Sequence, residues 1–182
     1  MALIYLIRHG RAAAGWDADP DPGLDDLGRQ QAQHLVERFA PLDPMPVVVS
    51  PMARTRETAA PLLEHWASQP RVEPRVSEIP SPTDALAARG DWLRGIAGQR
   101  YADLDGWLQQ WRQGVLDALL ELQTSTVVVT HFIAINAAAG AAVDDDRVVH
   151  FRPNHCSLTV LRQEAGRLSL VSLGAEAETR VL

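Results

Sequence analysis

Three short runs of apolar, β-forming residues limit most strongly what this chain can fold into. They span residues 2–7, 46–50 and 125–131, and each is short enough to be a strand buried on both faces of a sheet. Stretches with helical spacing of apolar residues lie between these runs. Strands that alternate with helices in this way predict an α/β fold, with a mostly parallel central sheet and helices on both faces.

The rest of the chain extends this pattern. Helices are predicted over residues 25–39, 51–67, 103–123 and 132–140. Within the second of these, Pro61 predicts a kink or break. Further strands are predicted over residues 72–76, 147–151, 157–163 and 167–173, the last two joined by a turn. A chain of 182 residues without an internal repeat or linker fits a single domain, residues 1–182.

Composition and charge exclude several functions. The formal net charge of −6 predicts neither a nucleic acid nor an anionic membrane as a partner. Cys156 is the single cysteine, so the chain can form neither an internal disulfide nor a cysteine zinc cluster. The first residues lack the features of a secretory signal, and no stretch approaches the roughly 20 apolar residues of a membrane span. We therefore expect a cytoplasmic protein, and no pattern indicates an oligomeric state.

Basic residues follow each of the three apolar runs. Arg8 and His9 come after the first, Arg54 shortly after the second, and His131 ends the third. Because sites in open α/β sheets lie beyond the carboxyl ends of the strands, we expect these four side chains around one crevice. Guanidinium groups match phosphate oxygens two hydrogen bonds at a time. The sequence therefore predicts a pocket in which Arg8 and Arg54 bind a phosphoryl group.

The two histidines suggest the chemistry of this pocket. Neighbouring arginines lower the pKa of an imidazole, so a neutral His9 could attack phosphorus and form a phosphohistidine. His131 and the arginines would then stabilise the charge on the transferring group. Glu78 is the predicted general acid for the leaving oxygen, with Asp84 as the alternative. The arginines supply the positive charge, so neither a metal ion nor a cofactor is predicted.

The motifs around these residues resemble the histidine phosphatase superfamily, which is also called phosphoglycerate mutase-like. "LIRHG" resembles its strand-plus-RHG signature, which implies a nucleophile at His9 and a phosphate-binding Arg8. "SPMARTRETA" is similar to its SPxxRxxQTA segment and implies the second arginine at Arg54, while "VVVTH" implies the second pocket histidine at His131. "LDDLGRQQAQHL" is similar to its LTxxGxxQAxxL helix, and Glu78 in "SEIPSP" lies where the family places its acidic residue. The resemblance implies a three-layer sandwich and a small phosphorylated substrate.

Some residues depart from the family pattern. Arg11 follows RHG where the family often has glutamate, and Phe132 replaces the glycine that usually follows the second histidine. "RAAAGW" lacks the asparagine of phosphoglycerate mutases, and the segment before His131 is too short for their large capping insertions. A phosphatase that hydrolyses a small-metabolite phosphomonoester is therefore favoured over a mutase.

Two alternatives remain open at the level of sequence. A phosphatase for phosphohistidine in a signalling protein would not need Glu78, because a protonated imidazole leaves easily. A catalytically silent phosphate-binding module is motivated by Arg11 and Phe132. Trp16 and Trp92 are candidates for a wall that faces the substrate, and His155 is a candidate for the cleft.

Overall fold

The computed structural model describes residues 1–15 and 18–177. Within these ranges, six strands and five α-helices follow one another as β1 (Ala2–Arg8), α1 (Asp26–Phe39), β2 (Val47–Val49), α2 (Ala53–His65), β3 (Arg71–Val72), α3 (Leu86–Ile96), α4 (Gly106–Leu120), β4 (Thr126–Thr130), α5 (Phe132–Ala141), β5 (Leu158–Glu164) and β6 (Arg167–Ser172). None of the helices in the described ranges is long and apolar enough to cross a bilayer.

All six strands of the described chain belong to one sheet, in the order β3-β2-β4-β1-β5-β6. Parallel pairing joins β3, β2, β4 and β1, whereas β5 runs antiparallel between β1 and β6. This confirms the predicted mostly parallel sheet. Because β1, β4 and β2 are parallel neighbours, their carboxyl ends lie at the same edge.

Two of the three apolar cores in the described chain hold helices against the sheet, one on each face. Successive strand residues point to opposite faces, so β1 contributes Ile4 to one core and Ile7 to the other. The core around Ile4 contains residues of α4 and α5, and the core around Ile7 contains residues of α1 and α2. Helices therefore cover both faces, as the sequence predicts.

Helix α2 continues through Pro61 to His65, so the break considered from the sequence does not occur. Proline in a helix interior costs about 3 kcal/mol. The residues that follow it offset this cost, because Leu62, Leu63 and Trp66 are all buried in the core beside the sheet. Burying one such side chain contributes about 1.5–3 kcal/mol.

The predicted strand over residues 72–76 is wrong beyond its first residue. Strand β3 ends at Val72, and residues Pro74–Val76 form a 3-10 turn. Pro74 has no N–H to donate to a neighbouring strand, and the Glu73 carboxylate accepts a hydrogen bond from the backbone N–H of Arg75. Local side-chain bonding therefore ends the strand.

The predicted strand over residues 147–151 is also wrong, since this segment forms no strand. The side-chain oxygen of Asn136 in α5 accepts hydrogen bonds from the backbone N–H groups of His150 at 2.7 Å and Phe151 at 2.9 Å. A buried amide on the neighbouring helix thus takes the donors that a strand partner would use.

Candidate active site

The carboxyl ends of β1 and β4 and the start of α2 bring the four predicted basic residues together. The backbone N–H of His9 donates to the carbonyl of Thr130 at 3.0 Å, which joins the two strand ends. Arg8, His9 and His131 therefore project from adjacent strand ends, and Arg54 lies in the first turn of α2. All four side chains are buried.

The His9 ring is held in one orientation by its neighbour in the chain. Its Nδ1 lies 2.7 Å from the carbonyl oxygen of Gly10. A carbonyl can only accept a hydrogen bond, so Nδ1 carries the proton and Nε2 is the unprotonated nitrogen with a lone pair. Nε2 accepts a hydrogen bond from Nε of Arg54 at 3.3 Å. The nitrogen with nucleophilic character therefore lies beside a guanidinium group.

The Gly10 peptide that orients His9 is packed on two sides. Its N–H donates to Oγ1 of Thr58 at 2.9 Å. A Cβ at Gly10 would lie 2.7 Å from the carbonyl oxygen of Gly28 in α1, and a Cβ at Gly28 would lie 2.1 Å from that of Arg11. Both positions therefore require glycine, because the two backbones touch.

Arg54 connects the two imidazoles. Its Nη2 donates to Nδ1 of His131 at 3.2 Å, which leaves the proton of that ring on Nε2. Nε2 of His131 donates to the hydroxyl of Ser50 at 2.7 Å, and Ser50 in turn bonds Oγ1 of Thr55 at 2.9 Å. Both nitrogens of His131 thus have partners. The sequence analysis missed Ser50 and Thr55, although both lie within "SPMARTRETA".

The guanidinium groups are only partly satisfied by the protein. Nη1 of Arg8 donates to the carbonyl of Pro153 at 2.9 Å, and its guanidinium carbon lies 5.1 Å from the centroid of the Phe132 ring. Nε of Arg8 and Nη1 of Arg54 are buried without a hydrogen-bond partner among the described residues. The Arg54 atom lies 3.9 Å from the Asp21 carboxylate. Buried donors of this kind are costly unless a ligand accepts from them.

The electrostatics of the site keep both imidazoles neutral. Burial lowers the pKa of His9 well below its usual value, and the neighbouring His131, Arg54 and Arg8 lower it further. The pKa of His131 is also lowered, by burial and then by the two arginines. Burial lowers the pKa of Arg8 to about 10, which leaves the guanidinium charged at neutral pH. Charged arginines and neutral imidazoles together fit an anion.

Glu78 lies in the loop after the 3-10 turn, where its carboxylate reaches the first turn of α5, and it lines the same cleft as His9. Its carboxylate accepts hydrogen bonds from the backbone N–H of Ile79 at 3.0 Å and of Ile133 at 3.1 Å. Burial raises the pKa of Glu78, against the opposing effect of these N–H groups. Asp84, the alternative acid, is exposed and does not line the cleft. The geometry favours Glu78.

Comparison with known proteins agrees with this arrangement. Residues 4–176 match the model of the histidine phosphatase superfamily (branch 1). The chain belongs to this superfamily. The match includes every residue of the site described above.

Individual histidine phosphatases and mutases are similar over nearly the whole chain. A probable phosphoglycerate mutase, GpmB, of Erwinia tasmaniensis is 28% identical over 186 residues, covering 87% of this chain and 84% of that protein. The phosphoserine phosphatase of Entamoeba histolytica, solved with 3-phosphoglyceric acid, has a TM-score of 0.75 at 18% identity, covering 96% of this chain and 98% of that one. A mycobacterial glucosyl-3-phosphoglycerate phosphatase, solved with VO3, has a TM-score of 0.73 at 20% identity, covering 97% and 100%. Both of these solved structures share the fold of this chain.

The cleft of this superfamily member has a volume of about 400 Å³. Residues 12–15, Pro22, Leu93 and Phe132 form its walls. Trp92, which was predicted to face the substrate, is absent from the lining, and its ring stacks on Trp107 with centroids 6.3 Å apart. Helical spacing explains the difference, since the adjacent Leu93 occupies the face of α3 toward the cleft. The other predicted wall residue, Trp16, lies outside the described residues.

Two further residues of the superfamily member line the cleft. The His155 ring lies 6.0 Å from that of His9, and its pKa is lowered to about 4 by burial and then by Arg8 and Arg11. Arg11 also lines the cleft, but its Nε donates to the Asp25 carboxylate at 2.5 Å. The positive charge of Arg11 is therefore balanced by the carboxylate of Asp25.

Proposed function

We propose that this histidine phosphatase hydrolyses a phosphomonoester of a small metabolite, without a metal ion, through a phosphohistidine at His9. One observation carries the proposal. The Gly10 carbonyl fixes the proton on Nδ1 of His9, and its Nε2 lone pair lies beside the incompletely bonded guanidinium of Arg54. A neutral nucleophile beside donors for phosphoryl oxygens is what phosphoryl transfer to nitrogen requires.

The depth of the site supports a small substrate. His9 is 8% exposed and lines the cleft, so a phosphoryl group must enter the cleft to reach it. The similar phosphatases named above were solved with 3-phosphoglyceric acid and with VO3. A phosphohistidine on the surface of a folded protein would not reach His9, because the backbone around that phosphohistidine would keep its phosphoryl group out of the cleft. We therefore favour a metabolite over a signalling protein.

In the first step, Nε2 of His9 forms a bond to phosphorus while the bond from phosphorus to the ester oxygen breaks. Arg8 and Arg54 donate to the phosphoryl oxygens and stabilise their charge. His131 acts through its hydrogen bond to Arg54 and is a positioning residue in this scheme. Glu78, with its raised pKa, gives its proton to the departing oxygen. The products are the free alcohol and the phosphohistidine.

In the second step, water replaces the alcohol. The Glu78 carboxylate takes a proton from the water as its oxygen attacks phosphorus. The bond from phosphorus to Nε2 breaks, His9 leaves as the neutral imidazole, and inorganic phosphate is released. Glu78 is protonated again, so the cycle closes without any other reactant.

The test compares two histidine variants with p-nitrophenyl phosphate in the presence of EDTA. His9→Ala should lower kcat/KM by a factor on the order of 10⁴ or more, because the nucleophile is lost. His34→Ala is the matched control, since His34 is exposed on α1 and should leave kcat/KM unchanged. Equal activity in His9→Ala and the wild type would refute the nucleophile. Loss of wild-type activity in EDTA would refute metal independence.

The intermediate can be trapped directly. Substrate labelled in the phosphoryl group, mixed with enzyme and quenched in alkali after milliseconds, should leave label on the protein that acid releases, as expected for a phosphohistidine. The label should be absent from His9→Ala. A protein that binds phosphate but never carries label would be the silent binding module.

Glu78→Gln tests whether Glu78 is the general acid, which a metabolite phosphatase needs and a phosphohistidine phosphatase does not. Gln cannot donate the proton, so kcat for an alkyl phosphate should fall by about 10²–10⁴. Hydrolysis of p-nitrophenyl phosphate should fall much less, because p-nitrophenolate leaves without a proton. Equal losses for both substrates would argue against Glu78 as the acid.

A further inference from the structure

The floor and the walls of the cleft differ in chemistry. The floor carries Arg8, His9, Arg54 and Glu78, which the proposed function assigns to the phosphoryl group and the leaving oxygen. The walls, which face whatever the phosphoryl group is attached to, are residues 12–15, Pro22, Leu93 and Phe132. Their side chains are aliphatic, aromatic or absent, so none of them can donate or accept a hydrogen bond.

Some backbone groups of the loop after β1 are hydrogen-bonded within the protein. The N–H of Ala13 donates to the carbonyl of Gly23, and the carbonyl of Gly15 accepts from the N–H groups of Ala18 and Asp19. Ala12 forms a β-bridge with Leu24. The Ala13 N–H and the Gly15 carbonyl are therefore satisfied within the protein, and the side chains that residues 12–14 add to the lining are methyl groups.

Among the residues that the structure describes, the polar side chains that remain in the lining are Arg11 and His155. Arg11 is bonded to Asp25, so its charge is balanced within the protein. The His155 ring lies 6.0 Å from the His9 ring, beside the proposed phosphoryl site. Arg11 can only donate and a neutral His155 has a single acceptor, so the two do not supply the several acceptors that the hydroxyl groups of a sugar or polyol would need.

From this contrast we infer that the substrate carries an apolar alcohol: it is an aryl or alkyl phosphomonoester rather than a sugar or polyol phosphate. Hydroxyl groups placed against these walls would lose their hydration without gaining partners, whereas an apolar group gains by burial. The volume of about 400 Å³ lies in the usual range for small-molecule sites. The inference rests on the proposed function, and names the class of substrate for the same site.

The test compares n-pentyl phosphate with glycerol 3-phosphate. Both are esters of primary alcohols and both need the general acid, so they differ mainly in the polarity of the alcohol. We expect kcat/KM to be higher for n-pentyl phosphate by about tenfold or more. An equal value, or a preference for glycerol 3-phosphate, would overturn the inference while the proposed function stands. Failure of every phosphomonoester, with no label trapped on His9, would instead overturn the proposed function.

Wall variants show whether the preference comes from the cleft. Leu93→Asn should lower kcat/KM for n-pentyl phosphate by about tenfold and leave that for glycerol 3-phosphate within about twofold. Leu42→Asn is the matched control, because Leu42 is 40% exposed in a turn away from the cleft. Leu93 is itself buried, so Ala14→Asn in the loop provides the same test if Leu93→Asn does not fold. Unchanged preference in a folded wall variant would refute the assignment of these walls.

Discussion

Arg54 and Arg75 each lie between two ionisable side chains, but only Arg75 has carboxylates as both of its partners. Arg75 donates to Glu73 at 2.9 Å and to Glu121 at 2.6 Å. Hydrogen bonding to Arg75 lowers the pKa of Glu73 to about 2, and bonding to the two carboxylates raises the pKa of Arg75. Arg54 donates instead to the neutral rings of His9 and His131, and burial lowers its pKa.

The difference indicates what each cluster is for. Around Arg75, carboxylates of the chain neutralise the guanidinium, and the result ties the turn after β3 to the end of α4. At the floor of the cleft, Nε of Arg8 and Nη1 of Arg54 are buried without a hydrogen-bond partner in the described part of the chain, and the Asp21 carboxylate lies 3.9 Å from Nη1 of Arg54. A guanidinium group that is bonded to carboxylates of the chain stabilises the fold. Buried guanidinium groups that keep unbonded N–H groups can instead bind an anion from outside.

Matched substitutions of the two arginines provide the strongest test of this comparison. Arg54→Gln should lower kcat/KM for p-nitrophenyl phosphate by about 10²–10³, because a donor to the phosphoryl oxygens is lost. Arg75→Gln should change kcat/KM by less than about twofold. Steady-state kinetics of the two folded variants measure the difference. Similar losses in both would show that the two clusters are not separate in function.

Binding of inorganic phosphate gives the next largest effect. At about 100 times its Kd, phosphate should stabilise the wild type by about 2.7 kcal/mol, which corresponds to a rise in Tm of about 5–10 °C. Arg75→Gln should show the same rise, and Arg54→Gln little or none. Thermal unfolding with sodium chloride at matched ionic strength is the control. An equal rise in all three proteins would contradict a specific anion site at the floor.

The smallest expected effect concerns stability and pH. Arg75→Gln should lower the free energy of unfolding by about 1 kcal/mol at pH 7. The folded pKa of Glu73 is depressed from 4.5 to about 2, so its stabilising contribution is present above pH 4.5 and is lost as the pH falls through about 2. Urea unfolding of the variant and the wild type at pH 7 and pH 3 should therefore show a smaller difference at pH 3. An equal difference at both pH values would mean that Arg75 does not act through the charge of Glu73.

The sheet and the floor of the site could be predicted because their determinants are local. The apolar runs of β1, β2 and β4 identify buried strands, and parallel order places the residues after them at one edge. This strand order alone was enough to group four residues, Arg8, His9, Arg54 and His131. Their hydrogen bonds and burial were not predictable to the same degree, because Ser50, Thr55 and the Pro153 carbonyl take part only once the chain has folded.

The errors fall where distant residues decide the conformation. Residues 147–151 have strand-like composition, but the amide of Asn136 takes the N–H groups that a ladder would use. His155 was only a candidate for the cleft, since its place depends on a turn in which Cys156 has a positive φ of 52° and its N–H donates to the carbonyl of Arg8. No periodicity in the sequence encodes such contacts.

The contact between Gly10 and Gly28 has a consequence for how this scaffold can change. The imidazole of His9 is aimed by two main chains that touch, with no side chain between them whose size could vary. The alcohol-facing surface, by contrast, consists of separate side chains on the loop after β1 and on α3. Under the proposed function, reactivity and selectivity therefore lie in different parts of the molecule, and the substitution of a single wall residue would change the preferred substrate without moving His9.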